Sequence, residues 1–224
     1  MNMKKMLMVL LCVAVIVTTG IFGTLAYFTD SEAVTNTFTV GRVVITLDEA
    51  AVNEQGELLY KETVTEGAAK ELADRVMTND YHLLPGRTYI KDPTVTVDAG
   101  SEAAYVRMMA TITYQEAADG VLSTQWLNID NANWIVQGAP VTTKANGKIT
   151  RTYEFRYKEV VAKSNKETEL PALFTQIEVP GSVTSEQMVH LNDMTINVVA
   201  HAIQKAGFDN ADAAWAAFGQ QHAN

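Results

Sequence analysis

From Tyr105 to Tyr114 the chain alternates: Val106, Met108, Ala110, Ile112 and Tyr114 fall on one side, Arg107, Thr111 and Thr113 on the other. Successive side chains of a β-strand point to opposite faces, so this run buries one face as a strand and scatters its apolar residues as a helix. The pattern recurs. Ile149, Arg151, Tyr153, Phe155 and Tyr157 alternate with Thr150, Thr152, Glu154, Arg156 and Lys158. Met194, Ile196, Val198, Ala200 and Ala202 alternate with Thr195, Asn197, Val199 and His201. Val43, Ile45 and Leu47 oppose Thr46 and Asp48, whereas Phe38 and Val40 carry the other phase. The phase changes at Gly41, which predicts a bulge or kink. Thr94 to Val97 is a shorter strand after Pro93.

Turn residues punctuate these runs. Leu84-Pro85-Gly86, Asp98-Ala99-Gly100-Ser101 and Pro180-Gly181 mark reversals, and Asn146-Gly147 is a strong hairpin signal. Strands spaced by turns predict a mainly β fold, a β-sandwich or related antiparallel architecture, with one or two short peripheral helices. One helix is expected over Glu66–Met77, packing through Leu72, Val76 and Met77. A second is expected over Asp209–Phe218, capped by Asp209 or Asn210 and ended by Gly219. Its aromatic pair, Trp215 and Phe218, is expected to plug one edge of the core. The polar stretch from Glu49 to Thr65 reads as a loop or peripheral insertion.

The front of the chain has a different grammar. Lys4 and Lys5 precede an aliphatic run from Leu7 to Val17, and Gly20, Gly23, Thr24 and Ala26 follow before the first acid, Asp30. A basic start, an apolar core and small residues describe a secretory signal peptide. Cleavage is expected just after Ala26 or Tyr27. The competing reading is a retained membrane helix, since residues 6 to 29 carry no charge. The expected organisation is therefore a signal peptide over 1–26, a mature N-terminal segment over 27–40 and one sandwich domain over 41–224. Removing Lys4 and Lys5 leaves 15 basic residues against 26 acidic, a net charge near −11. Such a chain has no electrostatic purchase on a phosphate backbone, so nucleic acid is not an expected partner. The single Cys12 lies in the signal peptide. Disulfides, thiol catalysis and cysteine-based zinc sites are thereby excluded from the processed chain.

Catalytic signatures are sparse. His82, His190, His201 and His222 form no HExxH pair, and no GxSxG, GxGxxG or GxxxxGK[ST] occurs. Asp48, Glu49, Asp74 and Asp80 lack the alternating spacing of a calcium loop and read as a solvated acidic face. Trp126 and Trp134, flanking Asn128, Asp130, Asn131 and Asn133, suggest either a sugar-stacking loop or, more plainly, a loop anchored to the core. No catalytic, metal or cofactor-binding residues emerge, and no cofactor is expected.

Two stretches carry a resemblance. GTLAYFTDSEAVTNTFTVGRVVITLDE, residues 23 to 49, joins the signal to a first strand through Phe28-Thr29-Asp30 and an N-x-F-x-x-G segment at Asn36 to Gly41. Near the other end stand Asn192-Asp193-Met194-Thr195-Ile196, Ala200-His201-Ala202-Ile203-Gln204, Gly207-Phe208 and Ala214-Trp215. On these residues the chain resembles the TasA/camelysin family of Gram-positive exported proteins. The resemblance implies a jelly-roll sandwich, removal of the signal by a SipW-type peptidase, membrane association only before processing, and assembly into biofilm-matrix fibres. It implies that the freed N-terminal segment of one subunit adds as a strand to its neighbour, with Phe28, Ala33, Val34 and Phe38 as apolar anchors. Partners are then other copies of the chain and further matrix proteins, outside the cell or at its surface. Two alternatives stand beside it: a camelysin-like cell-surface metallopeptidase, and a surface binding module anchored by residues 6 to 29.

Overall fold

The computed structural model describes residues 42–62, 69–121 and 124–221. Gly41, the candidate cleavage residues Ala26 and Tyr27, and the anchors Phe28, Ala33, Val34 and Phe38 lie outside them, as does the uncharged stretch over residues 6 to 29.

Mainly β in content, the described residues form antiparallel sheets with two short helices. The largest sheet is built from the runs with the clearest alternation. Its members are β4 (Ala104–Gln115), β5 (Trp134–Val136), β6 (Val141–Ala145), β7 (Lys148–Tyr157) and β10 (Thr195–Gln204). They are ordered β10-β4-β7-β5, with β6 also on β7. β1 (Ile45–Asp48), β3 (Thr94–Val97) and β8 (Thr168–Glu169) form a second sheet in the order β1-β3-β8, and β2 (Thr88–Ile90) pairs with β9 (Gln176–Glu178).

The predicted faces are the observed ones. Val106, Met108, Ala110, Ile112 and Tyr114 of β4 are buried, and the intervening residues are only half so. They meet Ile149 and Phe155 of β7, Val95 and Val97 of β3, and Trp134 in one apolar core, against which Ile196 and Val198 of β10 pack. At Asn146-Gly147 both φ angles are positive, +52° and +73°, the combination a two-residue type I′ turn requires between β6 and β7.

Two expectations fail, and a third holds only in part. Residues 69–77 are extended rather than helical: Leu72 bridges Tyr60, and Val76 bridges Glu49. Helix propensity is a weak bias. Here Arg75 overrides it, reaching Asp48 Oδ1 at 2.5 Å and Asp92 Oδ2 at 2.9 Å from an extended backbone. The stretch after Glu49 is the expected loop, joined by isolated bridges, but it is not peripheral. Ala51 and Val52 are buried, and Gly56 (φ +74°) lies so close to Tyr89 that a Cβ there would fall 2.6 Å from the Tyr89 Cα. Finally, the aromatic helix does not plug the core. Helix α1 (Ser185–Val189) carries a capping box between Thr184 and Gln187, and α2 (Ala211–Gln221) is capped by Asn210 Oδ1, 2.9 Å from the Ala213 nitrogen, and runs past Gly219. Its Trp215 stacks on Arg107, which projects from the face of β4 opposite the core.

Candidate functional site

β10 is the edge strand of the largest sheet, and its backbone can be read residue by residue. Lys205 N donates to Ala103 O at 2.7 Å, and β10 and β4 run antiparallel with Ile203 opposite Tyr105 and His201 opposite Arg107. In an antiparallel ladder alternate residues exchange bonds with the neighbour, and the others turn their N–H and C=O away. The odd-numbered residues of β10 therefore bond to β4. Ile196, Val198, Ala200, Ala202 and Gln204 present their backbone groups to the open side, where no strand among the described residues pairs with them. The side chains of Ile196, Val198, Ala200 and Ala202 also pack against the core but stay only partly covered.

Edges are usually defended by charge, proline, bulges or brevity. The opposite edge of this sheet has such defences: Gly138 (φ +67°) and Pro140 break the line between β5 and β6, and Lys144 stands on β6. β10 has none of them. Ten residues long, Thr-Ile-Asn-Val-Val-Ala-His-Ala-Ile-Gln, it contains no Asp, Glu, Lys, Arg, Pro or Gly. Its sequence thus carries none of these defences against strand pairing, although β1 lies against it.

The outer face of β10 is held by α2. The Arg107 guanidinium carbon lies 4.5 Å from the Trp215 ring centroid and 4.8 Å from that of Phe218. Its Nε donates to His201 Nδ1 at 3.4 Å, and Nη1 pairs with Glu154 at 3.4 Å. Arg156 ties Glu154 (2.7 Å) to Asp212 of α2 (2.5 Å). This network pins the helix to the sheet.

Residues singled out for chemistry fare differently. Trp126 and Trp134 are buried, with Trp134 Nε1 donating to Pro171 O at 2.9 Å, so both indoles anchor their loop. Asp74 is exposed and pairs with Lys61 at 2.9 Å. The acidic face is not uniformly solvated, because Glu49 is buried against Lys91 at 2.5 Å. Hydrophobic periodicity cannot reveal that pairing, which joins residues on different elements. Among the described residues no group of three or more His, Cys, Asp or Glu is placed to hold a metal ion, and no helix is long and apolar enough to cross a membrane. In comparisons with protein-family models, curated proteins and solved structures, nothing matches the chain.

Proposed function

We propose that the chain is an exported structural subunit of a Gram-positive extracellular matrix fibre, assembled by strand addition after its signal peptide is removed. The observation that carries this reading is the edge of β10, uncharged and unbroken, with backbone groups facing outward above half-covered core side chains. Strand addition supplies what that edge lacks: main-chain partners for affinity and alternate side chains for register. Each backbone hydrogen bond gained contributes about 0.5–1.5 kcal/mol net.

The donor in this proposal is the segment freed by a SipW-type peptidase cutting after Ala26 or Tyr27. By strand alternation Phe28, Val34 and Phe38 share one face, with Ala33 on the other beside several threonines. Seated beside β10, the first three would cover Ile196 and Val198. Cleavage is then the assembly switch, because an N-terminus still attached to its signal is not free to reach a neighbour. The sandwich's jelly-roll connectivity belongs to the same proposal.

The test is electron microscopy of the processed chain, with N-terminal sequencing, beside a variant lacking residues 28–36. Filaments from the former and folded monomers from the latter are expected. Polymerisation of the truncated chain, or strict monomers from the processed one, would overturn the proposal.

A further inference from the structure

Three segments distant in sequence converge beside the loop that follows Val76. The Glu49–Val76 bridge brings Asn79 beside the residues that follow β1, and Lys91 follows directly on β2. Glu49 Oε2 accepts from Lys91 Nζ at 2.5 Å, and Oε1 accepts from Asn79 Nδ2 at 2.9 Å. One carboxylate thus holds an amine by one oxygen and a carboxamide by the other. The lysine and glutamate side chains are only 10% and 6% exposed.

We infer that Lys91 and Asn79 become joined by an intramolecular isopeptide bond, with Glu49 carrying the proton between them. An ion pair alone needs no asparagine, and both ends of this carboxamide are held by hydrogen bonds. Its Oδ1 accepts from the Val52 N–H at 3.0 Å, while Nδ2 donates to the Ala50 carbonyl at 2.9 Å as well as to Glu49. A backbone donor and a backbone acceptor fix which end is oxygen and which is nitrogen. The Val52 N–H stabilises negative charge that develops on Oδ1 during attack, as an oxyanion-hole donor does. The leaving nitrogen faces the group that must protonate it.

The bond changes balance without an external reagent. A proton passes from Lys91 Nζ to Glu49 Oε2, leaving a neutral amine that attacks the Asn79 amide carbon. The Nζ–Cγ bond forms, charge collects on Oδ1, and Glu49 delivers its proton to Nδ2. As the tetrahedral species collapses, the Cγ–Nδ2 bond breaks. A second Nζ proton is taken up by Glu49, the new amide remains, and ammonia departs. Neither oxidant nor reductant is consumed. Asn79, Tyr81 and Lys91 line a cleft of about 670 Å³ that gives the ammonia a way out.

The surroundings favour reaction over hydration. The Tyr81 ring covers Lys91, with Nζ 5.5 Å from its centroid, and its hydroxyl is fixed on Ile90 O at 3.0 Å. Burial holds that phenol protonated far above its ordinary range, so it does not compete with Glu49 as the base. The ion pairs of Lys61, Lys144 and Lys163 lie on the surface, with lysine side chains 43%, 55% and 57% exposed. Those amines sit in open solvent, with no carboxamide held beside them among the described residues. The cross-link would tie the segment after Val76, held otherwise by scattered bridges, to the junction of β2 and β3.

Peptide mapping of the purified chain decides the matter and does not depend on whether the chain polymerises. A branched peptide joining residues 79 and 91, lighter by one ammonia than its two linear parts, is expected. Lys91→Arg and Glu49→Gln should each yield the linear peptides alone. The wild-type map decides even where a variant fails to fold. Linear peptides with unmodified Asn79 and Lys91 in the wild-type protein would overturn the inference. So would ammonia loss mapping only to Asn146-Gly147, or a branched peptide persisting in Lys91→Arg.

Discussion

Arg107 and Trp215 meet face on, the guanidinium carbon 4.5 Å from the centroid of the indole ring, although one projects from the largest sheet and the other from the last helix. Cation–π contacts of this kind contribute about 0.5–2 kcal/mol, and Arg107 adds an ion pair with Glu154 and a hydrogen bond to His201. Arg107→Ala is expected to cost about 2–4 kcal/mol in stability, since it also leaves Glu154 without one of its two cations. Near-ultraviolet circular dichroism should report a loosened Trp215 while far-ultraviolet strand signal persists. Arg107→Lys should lie between, since an ammonium restores charge but not the planar stack. An unchanged unfolding midpoint in Arg107→Ala would refute the clamp.

The outward backbone of Ala200 offers a cleaner probe of the β10 edge than deletion does. Its N–H is not used by β4, and proline is tolerated on edge strands where the missing donor faces solvent. Ala200→Pro should therefore fold as a monomer and fail to polymerise. His201→Pro, one residue on, removes a donor that β4 needs and should unfold the sheet by about 3 kcal/mol or more. Equal folding defects in the two variants, by urea denaturation, would contradict the assigned bonding pattern.

Gly147 sits at φ +73° in the turn joining β6 to β7. Gly147→Val is expected to destabilise by about 1–2 kcal/mol, because a β-branched residue is strained at positive φ. Asn146→Gly should be tolerated within about 0.5 kcal/mol, since glycine adopts the same angle freely. Thermal or denaturant unfolding of both variants checks the order.

Tyr114 is buried, donates to Asp119 Oδ1 at 3.1 Å, and has its phenol pushed up to about 12, chiefly by burial. A group whose folded value is raised stabilises fully below its unfolded value, near 10, and loses that contribution as pH climbs through the folded one. Between those limits the folded state holds the extra proton, so stability falls with rising pH. Tyr114→Phe should flatten the fall between about pH 10 and 12 in an alkaline melt compared with the parent. Identical slopes would show that other groups govern alkaline unfolding.

Alternation exposed β4, β7 and β10 to a reader of the sequence because each is long enough for a face to declare itself. β2, β8 and β9 have too few residues for a period, and their pairing is settled by partners far along the chain. Leu72, Val76 and Met77 imitate helical spacing, but what Arg75 reaches decides the backbone, and Asp48 and Asp92 are invisible from there. The Thr184-x-x-Gln187 capping box was a readable sign of α1 that hydrophobic periodicity passes over. Tertiary pairing also hid the Glu49–Lys91 contact. Acidity at Asp48-Glu49 predicts water around both residues, yet consecutive strand residues face opposite ways, and the second turns inward.

On β10 the same residues that aim their amides outward lay their side chains over the core. A docked strand would therefore satisfy the backbone and finish the interior in a single event, which couples polymer growth to the conformational stability of each subunit. A subunit inside such a chain should melt at a higher temperature than one in dilute solution, and the gap should widen with protein concentration. The polymer would act as the last chaperone of its own monomers.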